Sequence, residues 1–457
     1  MAFEGDASTD TLVRISHHGA ALDIRRLPDM MAKAVEAPGA RLPSLTRDDR
    51  EAERCFLQDG MVLDLLKVEV QIIDSKCPAS YSGILSYLTK AEKVLGIRFD
   101  CEPDYDIIPE PAIRRVSNSP TPKRHQTTTK APRADGNPRI GTNDPISSRQ
   151  SNLERIRIGE AWKLVKSAKG NSKKAILAIF DTGVDPTHPD LVNQFWRDPT
   201  DGSVGYNSFE DNRNVTDYDG HGTLVAGVAG AQTNNSIGIA GVADVELMIV
   251  KSTQGGRSSG GAILKGLDFA VRMGAAASVH SYMTSHSVIH MIAFSVAAAS
   301  GHVIVVAAGN AGENLDKRPQ YPCSYAQYIP CILRVAGSTS SRTPGAIASW
   351  SNIGSVVKIA APGVGIHTTT LNGLYSVAGG TSVSTPQVAA VAAMLASLGL
   401  VGQEIIDAII KSRTTGLSNK FNMTDVGELD ALRAVEIALD HPTGTPTTTT
   451  LSSKNDR

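Results

Sequence analysis

Short apolar runs alternate with longer amphipathic stretches beyond about residue 144. The runs AILAIF, VELMIV, VIVVAA and VVKIAA are typical of strands that are buried on both faces of a sheet. Between them lie segments with the period of a helix: GAILKGLDFAVRM, TPQVAAVAAMLASLG, QEIIDAII and LDALRAVEIAL. Buried strands that alternate with helices predict an α/β fold, with a mostly parallel central sheet covered by helices on both faces.

The first 115 residues carry a different pattern. The apolar runs LKVEVQII and IRFDC predict two strands, and YSGILSYLTKAEKVLG between them predicts a helix. This order indicates a small α+β unit over residues 1–115 that precedes the larger domain.

Two segments lack apolar periodicity. Residues 116–143 are rich in Pro, Thr and basic side chains, which predicts an exposed linker with processing sites at Lys123-Arg124, Arg133 and Arg139. Residues 441–457 are rich in Thr and are predicted to form a disordered tail. The α/β domain is therefore expected to span residues 144–440.

One stretch has the length of a membrane span. From Val288 to Ala308 there is no Asp, Glu, Lys or Arg, over about the length that a bilayer requires. Ser300, Gly301 and His302 interrupt the apolar character, however. The pattern predicts a helix that ends near Ser300 and a following strand, VIVVAA, rather than a membrane span.

Composition and charge narrow the possibilities only slightly. Of 457 residues, 41% are hydrophobic and 20% charged, as is usual for soluble globular proteins. A formal net charge of -1 argues against nucleic acid as a partner. The start MAFEGDASTD has acidic residues where a secretory signal has a positive charge and an apolar run, so no signal peptide is visible. Among the five cysteines, Cys323 and Cys331 are close enough in sequence to close a short loop.

Four motifs supply the side chains of a nucleophilic hydrolase. They contain Asp181 in AIFDTGVDPTHPDL, His221 in DGHGTLVAGVAG, Asn310 in VVAAGN and Ser382 in GGTSVSTPQVAAVAA. A serine hydroxyl is a weak nucleophile at neutral pH, so it needs an imidazole base and a carboxylate that orients the base. His221 and Ser382 each begin an Ala-rich helix, whose N-terminal N–H groups favour an oxyanion, and the Asn310 amide is the expected second donor.

Over residues 143–440 the chain resembles the subtilisin-like serine proteases. The segments FDTGVDPTHPDL, HGTLVAGVAG and GTSVSTP match the Asp, His and Ser motifs of that family. Leu224 and Gln387 stand where the family often has histidine, and we expect them to affect packing rather than the triad. The resemblance implies a subtilisin-like three-layer domain and a serine endopeptidase that acts through an acyl-enzyme.

The resemblance also implies a structural calcium ion and no organic cofactor. The segment TNNSIGIAGVA, residues 233–243, is similar to the calcium loop of the family. The implied ligands are side-chain oxygens and backbone carbonyls of Asp190, Thr233, Asn235, Ile237 and Ile239. A further ligand is expected near Asp144 or from water, and the alternative interpretation is an Asn/Gly turn between a helix and a strand.

The chain departs from the family where substrate binds. The implied substrate-binding residues are Ser258, Ser259, Gly260, Ser281, Met283, Ala307, Ala308 and Gly309. When the sequence is aligned on Gly274, Val279 replaces the usual Asn and Met283 replaces the usual Gly. A glycine at that position lets another backbone approach closely. Met283 therefore predicts a narrower pocket or a bent strand, and with it either a preference for small residues or impaired activity. The alternative function is a catalytically weak homologue that binds peptides or proteins.

Only the family resemblance suggests a role for the N-terminal unit. Subtilisin-like proteases are commonly made with an inhibitory propeptide, and a small α+β unit followed by a basic linker suits that role. The resemblance thus implies a self-processed zymogen that acts on proteins or peptides, with its own N-terminal segment as an intramolecular inhibitor, and export through a secretory route. An unrelated partner-binding domain is the alternative for residues 1–115.

Overall fold

The computed structural model describes the α/β part of the chain almost completely and the N-terminal part in pieces. The described residues are 11–16, 30, 45–56, 70–73, 79, 81–95, 98–103, 106–109, 136–169, 174–339 and 345–440. The predicted tail and most of the predicted linker, with Lys123-Arg124 and Arg133, lie outside them. We number the described strands and α-helices separately along the chain.

Eight parallel strands form the central sheet, in the order β17-β14-β13-β12-β10-β5-β7-β6. They are β5 (Ile176–Asp181), β6 (Gly205–Asn207), β7 (Glu246–Lys251), β10 (Ala277–His280), β12 (Val303–Ala307), β13 (Ile332–Ser338), β14 (Ile359–Pro362) and β17 (Gly427–Glu428). Strands β5, β12 and β13 are buried along their whole length, as a parallel sheet covered on both faces requires. The α/β prediction is confirmed.

Helices cover the sheet in two groups. The helices are α3 (Ser151–Arg155), α4 (Ile158–Lys169), α5 (His221–Gly230), α6 (Gly260–Arg272), α7 (Val288–Ala299), α8 (Thr381–Ala396), α9 (Gln403–Ser412) and α10 (Ala431–Asp440). Helices α6 and α7 pack together, while α8 packs against α5, α9 and α10 and crosses β10, β12, β13 and β14. Because α8 is rich in Ala, its backbone comes close to the sheet, and nearly all of its residues are buried. The result is a three-layer domain.

The uncharged stretch from Val288 to Ala308 folds as predicted. It forms helix α7, which ends at Ala299, and strand β12. Within the described residues, no helix has both the length and the apolar character needed to cross a bilayer.

The N-terminal residues form a second, antiparallel sheet. Its strands are β1 (Thr11–Ser16), β2 (Val70–Ile73) and β3 (Arg98–Pro103), in the order β2-β1-β3. Helices α1 (Arg47–Phe56) and α2 (Tyr81–Leu95) pack together, and α2 buries Ile84, Tyr87, Leu88 and Ala91 on one face. Strand β3 covers 98–101 of the predicted strand 97–101, helix α2 covers 81–95 of the predicted helix, and β2 covers the end of the predicted strand 66–73, whereas β1 and α1 were not predicted.

A third sheet joins the N-terminal region to the α/β domain. Strand β4 (Asp106–Pro109) lies between β9 (Arg257–Ser259) and β11 (Tyr282–Met283), antiparallel to both, and β8 (Thr253–Gln254) completes the sheet. Helix α7 also contacts β3. The N-terminal chain therefore adds one strand to the α/β domain.

The remaining described elements are small. Strands β15 (Ile366–Thr370) and β16 (Leu374–Ala378) form an antiparallel hairpin that packs on α5. Two 3₁₀ turns span Ser147–Arg149 and Cys323–Gln327. Ile140, in the segment predicted as a linker, is buried in the main hydrophobic core.

Candidate active site

The four predicted catalytic residues lie at one edge of the central sheet. Asp181 is the last residue of β5, and Asn310 follows the end of β12. His221 is the first residue of α5 and Ser382 the second residue of α8, and these two helices pack against each other. Parallel strands end at a common edge, which is where α/β sheets form their sites.

The His221 imidazole is paired with the Asp181 carboxylate. Its Nδ1 lies 2.8 Å from Asp181 Oδ1 and 2.9 Å from Oδ2, and Asp181 is 5% exposed. Because a carboxylate only accepts, Nδ1 carries the proton and Nε2 of the neutral ring is left as a base. Burial alone would lower the pKa of His221, but the charge and hydrogen bond of Asp181, together with the charges of Asp219 and Asp217, outweigh it and raise the pKa to about 9.

A second carboxylate, Asp217, holds this pair in place. Asp217 Oδ1 accepts hydrogen bonds from Thr182 Oγ1 at 2.9 Å and Gly220 N at 2.8 Å, and Oδ2 accepts one from Thr223 N at 2.9 Å. It thereby caps the N-terminus of α5 and ties it to the residue after Asp181. The sequence analysis missed Asp217, because it lies four residues before the first helix residue, His221, and so outside the N-cap position, which Gly220 occupies.

Helix α5 approaches the turn after Asp181 closely. The Gly222 N–H donates to Thr182 Oγ1 at 2.9 Å. A Cβ atom at position 222 would lie 2.1 Å from the carbonyl oxygen of Gly183. Only glycine allows this approach, so the residue next to His221 sets the distance between helix and strand end.

The Asn310 side chain contacts the start of α8. Its Oδ1 accepts hydrogen bonds from Thr381 N at 2.8 Å and Thr381 Oγ1 at 3.0 Å. Because the Thr381 backbone N–H can only donate, the Asn310 atom that faces it is assigned as the amide oxygen. The NH₂ group of Asn310 is therefore the part of the side chain that can act as a donor. Gly309 has a φ of 102°, and a Cβ there would lie 2.3 Å from Asn352 Nδ2. The bend at Gly309 brings Asn310 next to the residue that precedes Ser382.

The predicted substrate-binding residues lie on both sides of β4. Ser258 and Ser259 belong to β9, Gly260 begins α6, and Met283 ends β11. The backbone register pairs Asp106 with Ser259, Ile107 with Ser258, Ile108 with Met283 and Pro109 with Tyr282. Met283 is therefore compatible with a β-strand that pairs with an extended neighbour.

The remaining predicted pocket residues are buried beside these strands. Ala307 and Ala308, at the end of β12, are fully buried. Ser281 connects β10 to β11, and its buried Oγ has no hydrogen-bond partner among the described residues. Gln387 donates its Nε2 to the carbonyls of Pro362 and Val383, which is a packing role within and beside α8.

Two buried carboxylates bind the predicted calcium loop. Asp190 Oδ1 accepts from Asn235 Nδ2 at 2.8 Å and Oδ2 from Ile239 N at 2.9 Å. Asp144 accepts from the backbone N–H groups of Asn234 at 2.9 Å and Asn235 at 3.1 Å. Both carboxylates are fully buried. Burial raises the pKa of Asp190, despite these hydrogen bonds, and the nearby charge of Asp144 adds to that effect.

The backbone of this loop alternates in conformation. Asn234, Ser236 and Gly238 have φ values of 61°, 64° and 44°, so the intervening Asn235 and Ile237 occupy equivalent positions. Within the described residues, no three His, Cys, Asp or Glu side chains are grouped to hold a metal ion. A cation here would therefore depend on amide and backbone oxygens besides the two carboxylates. Oxygen ligands are those that Ca²⁺ prefers, and the two buried carboxylates beside the loop fit that ion.

The two cysteines of the α/β domain are not joined. Cys323 and Cys331 are both buried, and no disulfide joins them. The suggestion that they close a loop is wrong. Cys323 lies in a 3₁₀ turn and Cys331 directly precedes β13, so each occupies its own place in the core.

The chain is similar to known proteases. The model of the Subtilase family matches residues 172–422. The chain is 35% identical to Thermitase of Thermoactinomyces vulgaris over 301 residues, which is 64% of this chain and 99% of that protein. It is 32% identical to the Minor extracellular protease Epr of Bacillus subtilis (strain 168) over 56% of this chain and 36% of that protein. The crystal structure of fervidolysin from Fervidobacterium pennivorans shares the fold, with a TM-score of 0.66 and 22% identity over 95% of this chain and 62% of that one.

Proposed function

Because the chain belongs to the subtilase family of serine endopeptidases, we propose that it hydrolyses peptide bonds with Ser382, His221 and Asp181 as a catalytic triad. The observation that carries the proposal is the bond between His221 Nδ1 and Asp181 at the carboxyl edge of the sheet. Helix α8, whose second residue is Ser382, packs against the helix that begins at His221. The imidazole is thereby held in the tautomer that a general base needs.

In the proposed reaction, Ser382 Oγ attacks the scissile carbonyl carbon while His221 Nε2 takes the hydroxyl proton. Asp181 stabilises the imidazolium that forms. The Ser382 N–H and the Asn310 NH₂ group bind the oxyanion. The C–N bond then breaks as His221 gives the proton to the departing amine, and water, activated by the same imidazole, hydrolyses the acyl-enzyme.

Fluorophosphonate labelling tests the nucleophile. We expect the full chain to be labelled and Ser382→Ala to lose all labelling. Ser384→Ala is the matched control, because Ser384 is a buried serine on the same helix. Absence of labelling in the parent chain, even after removal of the N-terminal segment, would contradict the enzyme proposal and favour the peptide-binding homologue. The pairing of β11 with β4 speaks for the enzyme, since a substrate backbone has the same shape.

We propose further that the N-terminal unit is an intramolecular inhibitor of a self-processed zymogen. The support is the position of β4, which occupies both edges to which an extended peptide would add as a strand. A peptide substrate would have to displace β4 before it could pair with β9 and β11. The domain boundaries 1–115, 116–143, 144–440 and 441–457 are part of this proposal, and limited proteolysis of Ser382→Ala tests them.

We also propose a structural calcium ion. Asp190 and Asn235 with the carbonyls of Thr233, Ile237 and Ile239 would hold it, and Asp144 would complete the set. The ion would neutralise two buried carboxylates and fix the loop, and no step of the reaction requires it. An organic cofactor is not part of the proposal.

The proposed place of action is outside the cytosol. The support is the resemblance alone, and the name of Epr describes that protein as extracellular. Fractionation of the source cells, with an antibody against residues 174–339, tests this proposal. Recovery of the protein only in the cytosol would contradict it.

A further inference from the structure

A buried chain of hydrogen bonds leads from β11 into the sheet. The Tyr282 hydroxyl lies 2.7 Å from His280 Nδ1, and His280 Nε2 lies 2.8 Å from Ser278 Oγ. Ser278 Oγ is also 2.8 Å from His302 Nε2, and His302 Nδ1 is 2.7 Å from the carbonyl oxygen of Ala275. Ser278, His280 and Tyr282 are two residues apart, so they line one face of the extended chain.

The chemistry of these groups fixes every proton in the chain. The Ala275 carbonyl can only accept, so His302 Nδ1 donates to it, and Nε2 of the neutral ring accepts from the Ser278 hydroxyl. Ser278 Oγ then accepts from His280 Nε2, which leaves His280 Nδ1 to accept from the Tyr282 hydroxyl. A single carbonyl at one end thus determines the orientation of the tyrosine hydroxyl at the other.

The surroundings keep both imidazoles neutral. His280 and His302 are buried, and burial lowers the pKa of His302 to about 4 and that of His280 well below its usual value. His280 stacks on Phe180, with ring centroids 4.4 Å apart, and contacts Phe294 of α7. The ionisable groups whose charge would act on Tyr282 and His280 are Tyr325 and His302 respectively.

Tyr282 is also a residue through which β11 pairs with β4. Its backbone lies opposite Pro109, while its side chain is the outer end of the buried chain. The neighbouring Met283 lies opposite Ile108. Strand β11 has only two residues, so its own ladder gives it little rigidity, and an anchor in the sheet interior would fix its position.

We propose that the chain from Tyr282 through His280, Ser278 and His302 to the Ala275 carbonyl holds β11 where it can pair with an extended peptide. These four side chains are positioning residues for substrate binding, and none of them takes part in bond breaking. The inference rests on the proposed function for the identity of the substrate. The pairing of β4 provides a readout that does not depend on catalysis.

Hydrogen exchange of the full chain tests the proposal. Ser382→Ala is the parent, so that β4 stays attached. Tyr282→Phe removes only the hydroxyl, and we expect amides of 106–108 and 282–284 to exchange about tenfold faster while those of β5 and β12 are unchanged. Tyr325→Phe is the matched control, because Tyr325 is another buried tyrosine whose hydroxyl is bonded, in this case to the backbone of Ser287. It should leave exchange in 106–108 unchanged.

A change at the far end of the chain separates anchoring from a local effect. His302→Phe lies three hydrogen bonds from Tyr282 and should accelerate exchange in 106–108 as Tyr282→Phe does. The double variant should add little to either single change, because the chain acts as a unit. No change in 106–108 for His302→Phe, or equal acceleration across the whole sheet, would overturn the proposal.

Kinetics provide the second readout. In the active enzyme, Tyr282→Phe should raise KM about tenfold for a peptide that extends several residues before the scissile bond, with kcat nearly unchanged. A small ester that does not reach β11 should be hydrolysed as before. An equal loss with both substrates would overturn the positioning role. A parent protein that hydrolyses neither substrate would contradict the proposed function. The exchange experiment would still decide the role of the hydrogen-bonded chain from Tyr282 to His302.

Discussion

The Asp181–His221 pair makes activity and stability depend on pH in opposite directions. His221 must be neutral to accept the serine proton, and its pKa is raised to about 9 because Asp181, with the charges of Asp219 and Asp217, outweighs burial. We therefore expect kcat/KM to rise with pH and to reach half its maximum near pH 9. Because the pKa of His221 is higher in the folded protein than its unfolded value of 6.5, protonation of His221 stabilises the fold. This contribution is fully present below pH 6.5 and is lost as the pH rises through 9. Parallel profiles of kcat/KM and Tm against pH check both directions.

The variant Asp181→Asn tests the cause of the raised pKa. Without the carboxylate, burial acts with less opposition, and the midpoint of the pH profile should move to lower pH. The maximum of kcat should fall by about 10⁴-fold, because the amide no longer selects the right tautomer. NMR titration of His221 in the same variant measures the pKa directly. A midpoint that stays near 9 would show that another group titrates in the profile.

The contact between Asn310 and Thr381 predicts a graded series of rate losses. Asn310→Ala should lower kcat by about 10²- to 10³-fold with little change in KM, since the oxyanion loses one donor. Thr381→Val should cause a smaller loss, because it removes the hydroxyl that orients the Asn310 oxygen. Thr381→Ser keeps the hydroxyl and is the control. A rise in KM alone for Asn310→Ala would assign the amide to substrate binding instead.

Sequence reasoning found those residues whose neighbours along the chain reveal them. Asp181 and His221 each stand at a strand end or helix start, and their motifs placed them at one sheet edge before the structure did. The chain from Tyr282 to His302 was not predicted, because its links join separate elements and depend on strand register. The burial of Asp144 beside the loop at 234 was expected only as an approximate position.

The proposed calcium loop predicts that the stability of the protein depends on calcium. If residues 233–239 hold an ion, a chelator should lower the Tm of the parent protein, since ligand at 100 times its Kd adds about 2.7 kcal/mol to the free energy of unfolding. Asp190→Asn should lower Tm in calcium and abolish the response to chelator. Asp244→Asn is the control, because Asp244 is an exposed carboxylate that pairs with Lys174. A parent Tm that ignores chelator would leave the Asn/Gly turn as the correct interpretation.

Elements with a continuous apolar pattern were predicted, and elements that depend on distant partners were not. Strand β12 follows from its own sequence, because burial along its whole length selects apolar residues throughout. Helix α7 follows from its uncharged, apolar sequence, although only part of it is buried. Strand β4 has four residues and β11 has two. Neither is long enough to show a period, and each is defined by its antiparallel partner far along the chain.

The direction in which the polypeptide runs through β4 predicts where the protein would first cleave itself. Strand β11 follows β10 closely and leads away from the carboxyl edge of the central sheet. Because β4 is antiparallel to β11, its backbone runs toward that edge, from Ile108 opposite Met283 to Pro109 opposite Tyr282. The proposed nucleophile Ser382 lies at the same edge. A polypeptide that enters the site in this direction brings the peptide bonds after its last paired residue, Pro109, toward the proposed nucleophile.

We therefore expect the first self-cleavage within a few residues after Pro109, ahead of the basic sites at Lys123-Arg124, Arg133 and Arg139. Mass spectrometry of the freshly folded chain locates the cut, and its rate should not depend on protein concentration. Ser382→Ala should remain intact. Ile108→Pro should slow the cut, because proline removes a backbone donor from β4. A first cut between residues 123 and 139 that accelerates with concentration would instead identify the linker as a substrate of a second molecule, and β4 would then be an inhibitor that another copy of the enzyme removes.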